Sequence, residues 1–378
     1  MRNAIGYFVH HQGRGHAERA AALVHALGPD TPVTLFSARE DIFPPLPAWA
    51  RVERLPSLFE AEGPVPGGLA AARTPPTLHC APLGWSQITE AVARLANWFN
   101  HARPALFISD VSAELAQLAR IASIPCVPVL QHGDRDDPGH MAAYEGAVGI
   151  LAPYAAALEQ PGRPQWMRDM IFHAGGLGVQ PAVTSKAEAR AALGIDPHVD
   201  LVLVIAGGGG EGTPAPPLSL GARAEPDSLW VTIGSVAQAW HDTPPGNLQH
   251  KGWVDDADRW VAAADRVVSS TGNTTVHTVA AAGRPWIVIP EWRYFDEQRW
   301  KARMLGEAGA AVFADGWPAS AAAWEALWRQ AKALDLDRQK ALVDPNAAEK
   351  TAAWLRDLIA RSWGSAPRAA PQLQAVAS

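Results

Sequence analysis

Four short stretches carry residue types that could do chemistry. The first is Gly13-Arg14-Gly15-His16, which follows an apolar run. Glycines let a chain turn tightly and bring backbone amides close to a ligand at a helix start, and an imidazole there could take a proton. Glu18 stands where a dinucleotide fingerprint needs its third glycine, and Ser37-Ala38-Arg39 offers no carboxylate at the next strand tip. Both argue against a dinucleotide. A structural turn with an exposed His16 is the alternative. The second stretch is Ser109-Asp110. In an open parallel sheet, ligands gather at the carboxyl ends of strands, which would bring His16 and Asp110 to one edge. An aspartate bonded to one imidazole nitrogen fixes the tautomer and leaves the other nitrogen to accept a proton. Asp110 could equally cap the helix that follows.

The third stretch is Gly207-Gly208-Gly209-Gly210-Glu211-Gly212, after the apolar run 201–206. Such glycines allow a phosphate to approach backbone amides. No Gly-Lys-Ser/Thr follows, so this is not a Walker A loop. The fourth is Ser270-Thr271-Gly272-Asn273-Thr274-Thr275, with Asp296-Glu297-Gln298 after the next strand. Amides at a helix start suit a diphosphate, and a carboxylate beside an amide suits sugar hydroxyls. Plain capping and a surface turn are the alternatives. No His, Cys or carboxylate set has metal-ligand spacing, so no metal is expected.

To hold these stretches at one edge, the chain must alternate strands and helices. Strands are expected at 4–9, 32–36, 106–109 and 125–130, then at 200–206, 229–233, 266–269 and 286–289. Helices are expected at 17–27, 113–122, 255–263, 274–282, 297–308 and 318–333. Ile88, Val92, Leu95 and Phe99 recur at helical spacing from Ser86, ahead of Pro104. Ser185 and Glu188 have capping-box spacing. Asp344-Pro345 offers a cap and a first-turn proline for a helix to about Arg361. Residues 41–84 read as loops with at most one short strand. The alternation argues two α/β halves with parallel sheets, joined near 175–184.

The 378 residues are 48% hydrophobic and 19% charged, enough for a large core and too apolar for a disordered chain. Thirty-two basic against 38 acidic residues leave a charge of −6, so no nucleic-acid partner is expected. Cys80 and Cys126 give neither a disulfide framework nor a zinc quartet. They read as reduced thiols of a cytoplasmic protein. No apolar run approaches the roughly 20 residues of a spanning helix, and the start lacks a signal-peptide pattern; peripheral membrane contact stays open. Trp49, Trp85 and Trp98, among 16 tryptophans, suit either core packing or a ringed acceptor.

Taken together, these residues resemble the nucleotide-sugar glycosyltransferases of the GT-B fold. Two branches match: the UDP-glycosyltransferases acting on small molecules, and the bacterial enzyme that adds N-acetylglucosamine to the lipid-linked muramyl-pentapeptide. Residues 269–305 are similar to the donor signature, with its Gly-x-Thr-Thr turn, Ala-Ala-Gly-x-Pro link and Glu-Gln pair in order. Gly15-His16 is similar to the loop holding the family's catalytic His, and Ser109-Asp110 to the Asp that supports it. The stretch departs from the family at Ser270 and Thr278, where His and Glu are common.

The resemblance implies an α/β fold of two Rossmann-like domains facing across a cleft. Residues 1–178 would bind the acceptor and 179–344 the donor. Residues 345–362 would form a helix returning to the first domain, and 363–378 a flexible tail. The implied activity is inverting, metal-independent hexosyl transfer from a nucleoside-diphosphate sugar, a UDP-sugar, to a hydroxyl. His16 would be the base and Asp110 its orienter. Gly207, Gly208, Gly209, Gly210, Val254, Gly272, Asn273, Thr274, Thr275, Glu297 and Gln298 would hold the donor. No tightly bound cofactor is implied. The partner would be a small-molecule or lipid-linked acceptor, on a monomer or homodimer. Two other readings stand beside this: a nucleotide-sugar hydrolase of the pseudaminic-acid pathway type, similar in the Gly-x-Gly-His-x-x-Arg pattern of 13–19, and a non-catalytic nucleotide-sugar binding protein.

Overall fold

In the computed structural model, which describes residues 3–179, 184–207, 212–237 and 243–364, the apolar runs become two parallel sheets. The first holds β1 (Ile5–Phe8), β2 (Val33–Ser37), β3 (Ala50–Arg54), β4 (Leu106–Asp110), β5 (Cys126–Val129), β6 (Ile150–Ala152) and β7 (Ile171–His173), in the order β3-β2-β1-β4-β5-β6-β7. The chain continues through β8 (Asp200–Ile205), β9 (Thr213–Pro214), β10 (Ser228–Ile233), β11 (Val236–Ala237), β12 (Leu248–His250), β13 (Arg266–Ser269), β14 (Trp286–Val288) and β15 (Val312–Phe313). The second sheet runs β12-β10-β8-β13-β14-β15, with β9 and β11 paired separately. Strands such as β8, apolar on both faces, survive because helices cover both faces of a parallel sheet.

Each sheet reverses its winding once, and the reversals place the site. β1 pairs with both β2 and β4, so Phe8 lies beside Ser109. β8 pairs with both β10 and β13, so Ile205 lies beside Ser269. A crevice opens at the carboxyl ends of strands where the order reverses. The chain leaves β1, β4, β8 and β13 there with His16, Asp110, Gly207 and the 270–275 turn.

The structure corrects several expectations. The first helix spans Arg14–Leu27, so it opens before His16. The last spans Ala347–Trp363 with Asn346 at its cap position, not Asp344-Pro345. Asp344 is committed elsewhere: its amide donates to Gly175 O at 2.8 Å and its carboxylate accepts the Asn346 amide at 2.9 Å. The 41–84 segment holds β3 and a short helix, Gly67–Ala70. The helices Pro138–Glu145 and Ala215–Ala224 carry prolines in the first turn, which the periodicity did not reveal. The Ser185–Glu188 capping box is present. The last helix packs on the first half: Arg356 donates to Ala26 O and Leu27 O at 3.0 and 2.8 Å, and Trp354 stacks on Phe172. Trp98 meets Phe36 edge-on and Trp49 packs on the first-half core, so both serve packing. Among the described residues, no helix is long and apolar enough to cross a membrane.

Candidate active site

The turn after β1 depends on Gly13, whose φ of 84° is open to glycine and strained for other residues. No side chain caps the helix it opens, so the first amides of that helix lack intrahelical partners. His16 sits in this first turn. Asp110 is the last residue of β4, fully buried. It does not cap the next helix, because Ser112 Oγ accepts the Leu115 amide at 3.2 Å. Between them Val111 has φ 80°, a costly value for a β-branched residue and a mark of local strain.

Asp110 Oδ2 lies 3.1 Å from His16 Nδ1 and accepts from Arg19 Nη2 at 2.7 Å. Burial pushes the Asp110 pKa up, but Arg19 and His16 outweigh it and hold the carboxyl well below its usual range. Arg19 is itself buried, and Asp110 and Tyr7 outweigh that burial to keep it charged. Arg19 Nη2 also lies 2.9 Å from His16 Nδ1, so Asp110 is an anion shared by two neighbours that also touch each other, with His16 Nδ1 facing both the carboxylate and the guanidinium. In the sequence Arg19 stands only as the closing residue of the 13–19 pattern; the helix places it one turn after His16 on the same face, at Asp110. His10 lies 5.5 Å from the His16 ring. Burial, then His16 and His11, pull its pKa to about 3, so it stands neutral beside His16.

Across the cleft, the helix Asn273–Ala282 also starts without a side-chain cap, after Gly272. The amides of Asn273, Thr274 and Thr275 thus begin the helix unpaired within it. Ser270 Oγ and Asn273 Oδ1 are buried without partners. A side chain added to Gly15 would run into Thr274 Oγ1, so the two helix starts touch. Two positive helix ends brought together call for an anion between them. The Gly207 amide reaches Glu291 Oε1 at 3.3 Å; Gly208, Gly209 and Gly210 lie outside the described residues. Val254 packs against a core cluster that both halves share.

Gln298 and Glu297 are engaged within the protein. Gln298 Oε1 accepts the amides of Thr271 at 3.2 Å and Glu291 at 2.9 Å, holding the 270–275 turn to the loop after β14. Glu297 reaches into the first half, where Arg135 Nη2 donates to it at 3.2 Å and the turned Gln131 amide lies 2.9 and 3.0 Å from its oxygens. Trp300 Nε1 donates to Asp134 at 2.6 Å and the Asp134 amide to Phe295 O at 2.8 Å. The halves are thus closed on each other. The fold also gathers His79, Asp137 and His140, a metal-ligand set that sequence spacing had not offered because His79 comes from a distant loop.

No family model matches the chain. The UDP-N-acetylglucosamine--N-acetylmuramyl-(pentapeptide) pyrophosphoryl-undecaprenol N-acetylglucosamine transferases of Yersinia pseudotuberculosis and Yersinia pestis are 32% identical over 146 residues. That stretch is 36% of this chain and 41% of each relative, so the match spans about two fifths of the relatives' length. A UDP-glucosyltransferase from Polygonum tinctorium superposes with a TM-score of 0.66 at 12% identity, over 95% of this chain and 99% of that one. A UGT transferase from Siraitia grosvenorii, solved with UDP, gives 0.64 at 14%, over 94% and 99%. Acinetobacter baumannii MurG gives 0.58 at 13%, over 94% and 100%. The chain has the GT-B fold, two Rossmann-like domains facing across a cleft, and resembles the nucleotide-sugar glycosyltransferases built on it.

Proposed function

We propose that the chain is an inverting, metal-independent glycosyltransferase that moves a hexosyl group from a nucleoside-diphosphate sugar, a UDP-sugar, to a hydroxyl acceptor. The observation that carries this reading is the meeting of two uncapped helix starts, one bearing the His16–Asp110 pair and the other the 272–275 turn. The diphosphate would sit between them, against amides of Gly207–Gly210 and Gly272–Thr275. His16 Nε2 would take the acceptor proton as the hydroxyl oxygen attacks the anomeric carbon from the face opposite the diphosphate. The bond to the diphosphate breaks, the nucleoside diphosphate leaves, and the helix-start amides meet its charge. For this step His16 Nδ1 would donate to Asp110, while Arg19 gives up its 2.9 Å contact with that nitrogen and holds Asp110 alone. The acceptor is a small molecule or a lipid-linked hydroxyl.

The test incubates UDP-sugars with a panel of hydroxylated acceptors and follows UDP release, then reads the anomeric configuration of the product by NMR. Acceptor-dependent release with inversion, unchanged by excess chelator, supports the reading. Retention of configuration, or loss on chelation restored by magnesium, contradicts it. Arg19 favours the hydrolase as a second reading, because it completes the Gly-x-Gly-His-x-x-Arg pattern at Asp110. Free sugar released without acceptor identifies that activity.

A further inference from the structure

Among the described residues, one set of three metal-ligating side chains has ligand atoms all within 4.8 Å of one another: His79, Asp137 and His140. The sugar-transfer reading gives them no role. Asp137 precedes the helix Pro138–Glu145, and its Oδ1 accepts the amides of Gly139 and His140 at 3.1 Å each. This pins the carboxylate and turns Oδ2 to His140 Nδ1, 2.5 Å away. The His79 ring lies 4.4 Å from the His140 ring. Gly139 has no room for a side chain, because the Leu78–His79 backbone is pressed against it. The 71–85 loop is thereby seated on the helix start. His140 is buried and His79 exposed, so the group is rigid on its inner side and open to an ion on its outer side.

We propose that His79, Asp137 and His140 form a zinc-type site that fastens this loop to the first half beside the seam. Two imidazoles and one carboxylate are ligands for a borderline divalent metal, with water in the fourth position. The hydrogen bonds on Asp137 Oδ1 are of the kind that orient a ligating carboxylate. Metal on His140 Nδ1 displaces the proton now shared with Asp137, and that proton moves to Nε2. Arg135 Nη1, 3.3 Å from Nε2, then gives up this contact. It keeps its other anchors, Glu297 and the face of Phe295 at 4.7 Å. Phe295 comes from the second half and packs on both histidines, at 5.1 and 5.3 Å, so the site adjoins the closed cleft without entering the transfer step.

The full chain, stripped with chelator and dialysed, is titrated with Zn²⁺ by calorimetry and with Co²⁺ by visible absorption. One equivalent of Zn²⁺ should bind and raise the thermal midpoint, and Co²⁺ should show the intense bands of a tetrahedral centre. His79→Ala leaves the metal-free midpoint in place, because His79 is exposed. Asp137→Asn keeps a capping side chain. Each should weaken Zn²⁺ binding at least about tenfold and abolish the Co²⁺ bands. No Zn²⁺ binding to the wild type, or wild-type affinity in either variant, overturns the site. Neither outcome bears on UDP release, which tests the transferase reading separately.

Discussion

At the scale of single residues, the site is an anion with two claimants. Because Asp110 and Arg19 are both buried, Asp110→Asn leaves a buried guanidinium without its counter-charge. Breaking such a pair costs about 3–5 kcal/mol, so this variant should lose stability in a urea titration as well as turnover. A silent stability curve would mean that Arg19 finds another partner. His16 is partly exposed, so His16→Ala should fold normally. It should lower kcat by about 10²–10⁴-fold, the usual contribution of a general base, and leave UDP affinity nearly unchanged. Full turnover in that variant would reduce His16 to a turn residue. Sequence made His16 and Asp110 candidates because each follows an apolar run that had to be a strand. It left open whether Asp110 was a cap, since only the structure shows Ser112 doing that work.

At the scale of elements, the helix start at Gly15 meets the one at Thr274. Gly15→Val places a branched side chain where Thr274 Oγ1 now lies, so it should hold the halves apart. Weaker UDP binding with an unchanged far-ultraviolet dichroism spectrum is the expected result; wild-type affinity would show that the contact is incidental. The strands flanking the reversals were legible because β1, β4 and β8 are short, largely apolar runs with turn residues behind them, while β13, Arg266-Val267-Val268-Ser269, stood out mainly by the turn residues that follow it. β6 and β7, three residues each, carry too few side chains for a period-2 pattern. The helix Pro138–Glu145 opens on a proline and glycine and reads as a loop. Glu297 illustrates a further limit: its position after a strand was legible, but its bond to Arg135, 162 residues away, depends on how the halves close.

At the scale of the molecule, the closed seam buries histidines. His277 is fully buried, its Nδ1 donates to Asn273 O at 2.8 Å, and its ring packs on Gly176. Burial, with Lys301 and Arg19 nearby, holds its pKa down at about 4, against the Asn273 carbonyl, which raises it. The unfolded chain protonates this residue near 6.5 and the folded chain only near 4, so between those values the unfolded state binds more protons. Stability should fall as pH drops through that window, by up to about 1.4 kcal/mol per pH unit from this group. His10, His132, His140 and His173 are held down in the same way and add slope of the same sign, so thermal midpoints between pH 4 and 7 should fall more steeply than one group allows. His277→Gln should reduce the slope by its own share; an unchanged slope in the variant would remove His277 as a contributor.

The most direct test of the site is a calorimetric titration of the wild-type chain with UDP, UMP and uridine in excess chelator. A diphosphate held between two helix starts gains charge-assisted bonds of about 1.5–3 kcal/mol each. UDP should therefore bind at least about tenfold tighter than uridine, with UMP between them and no need for metal. Equal affinity for UDP and uridine, or UDP binding that vanishes with the chelator, would contradict the proposal that paired helix starts form the diphosphate site.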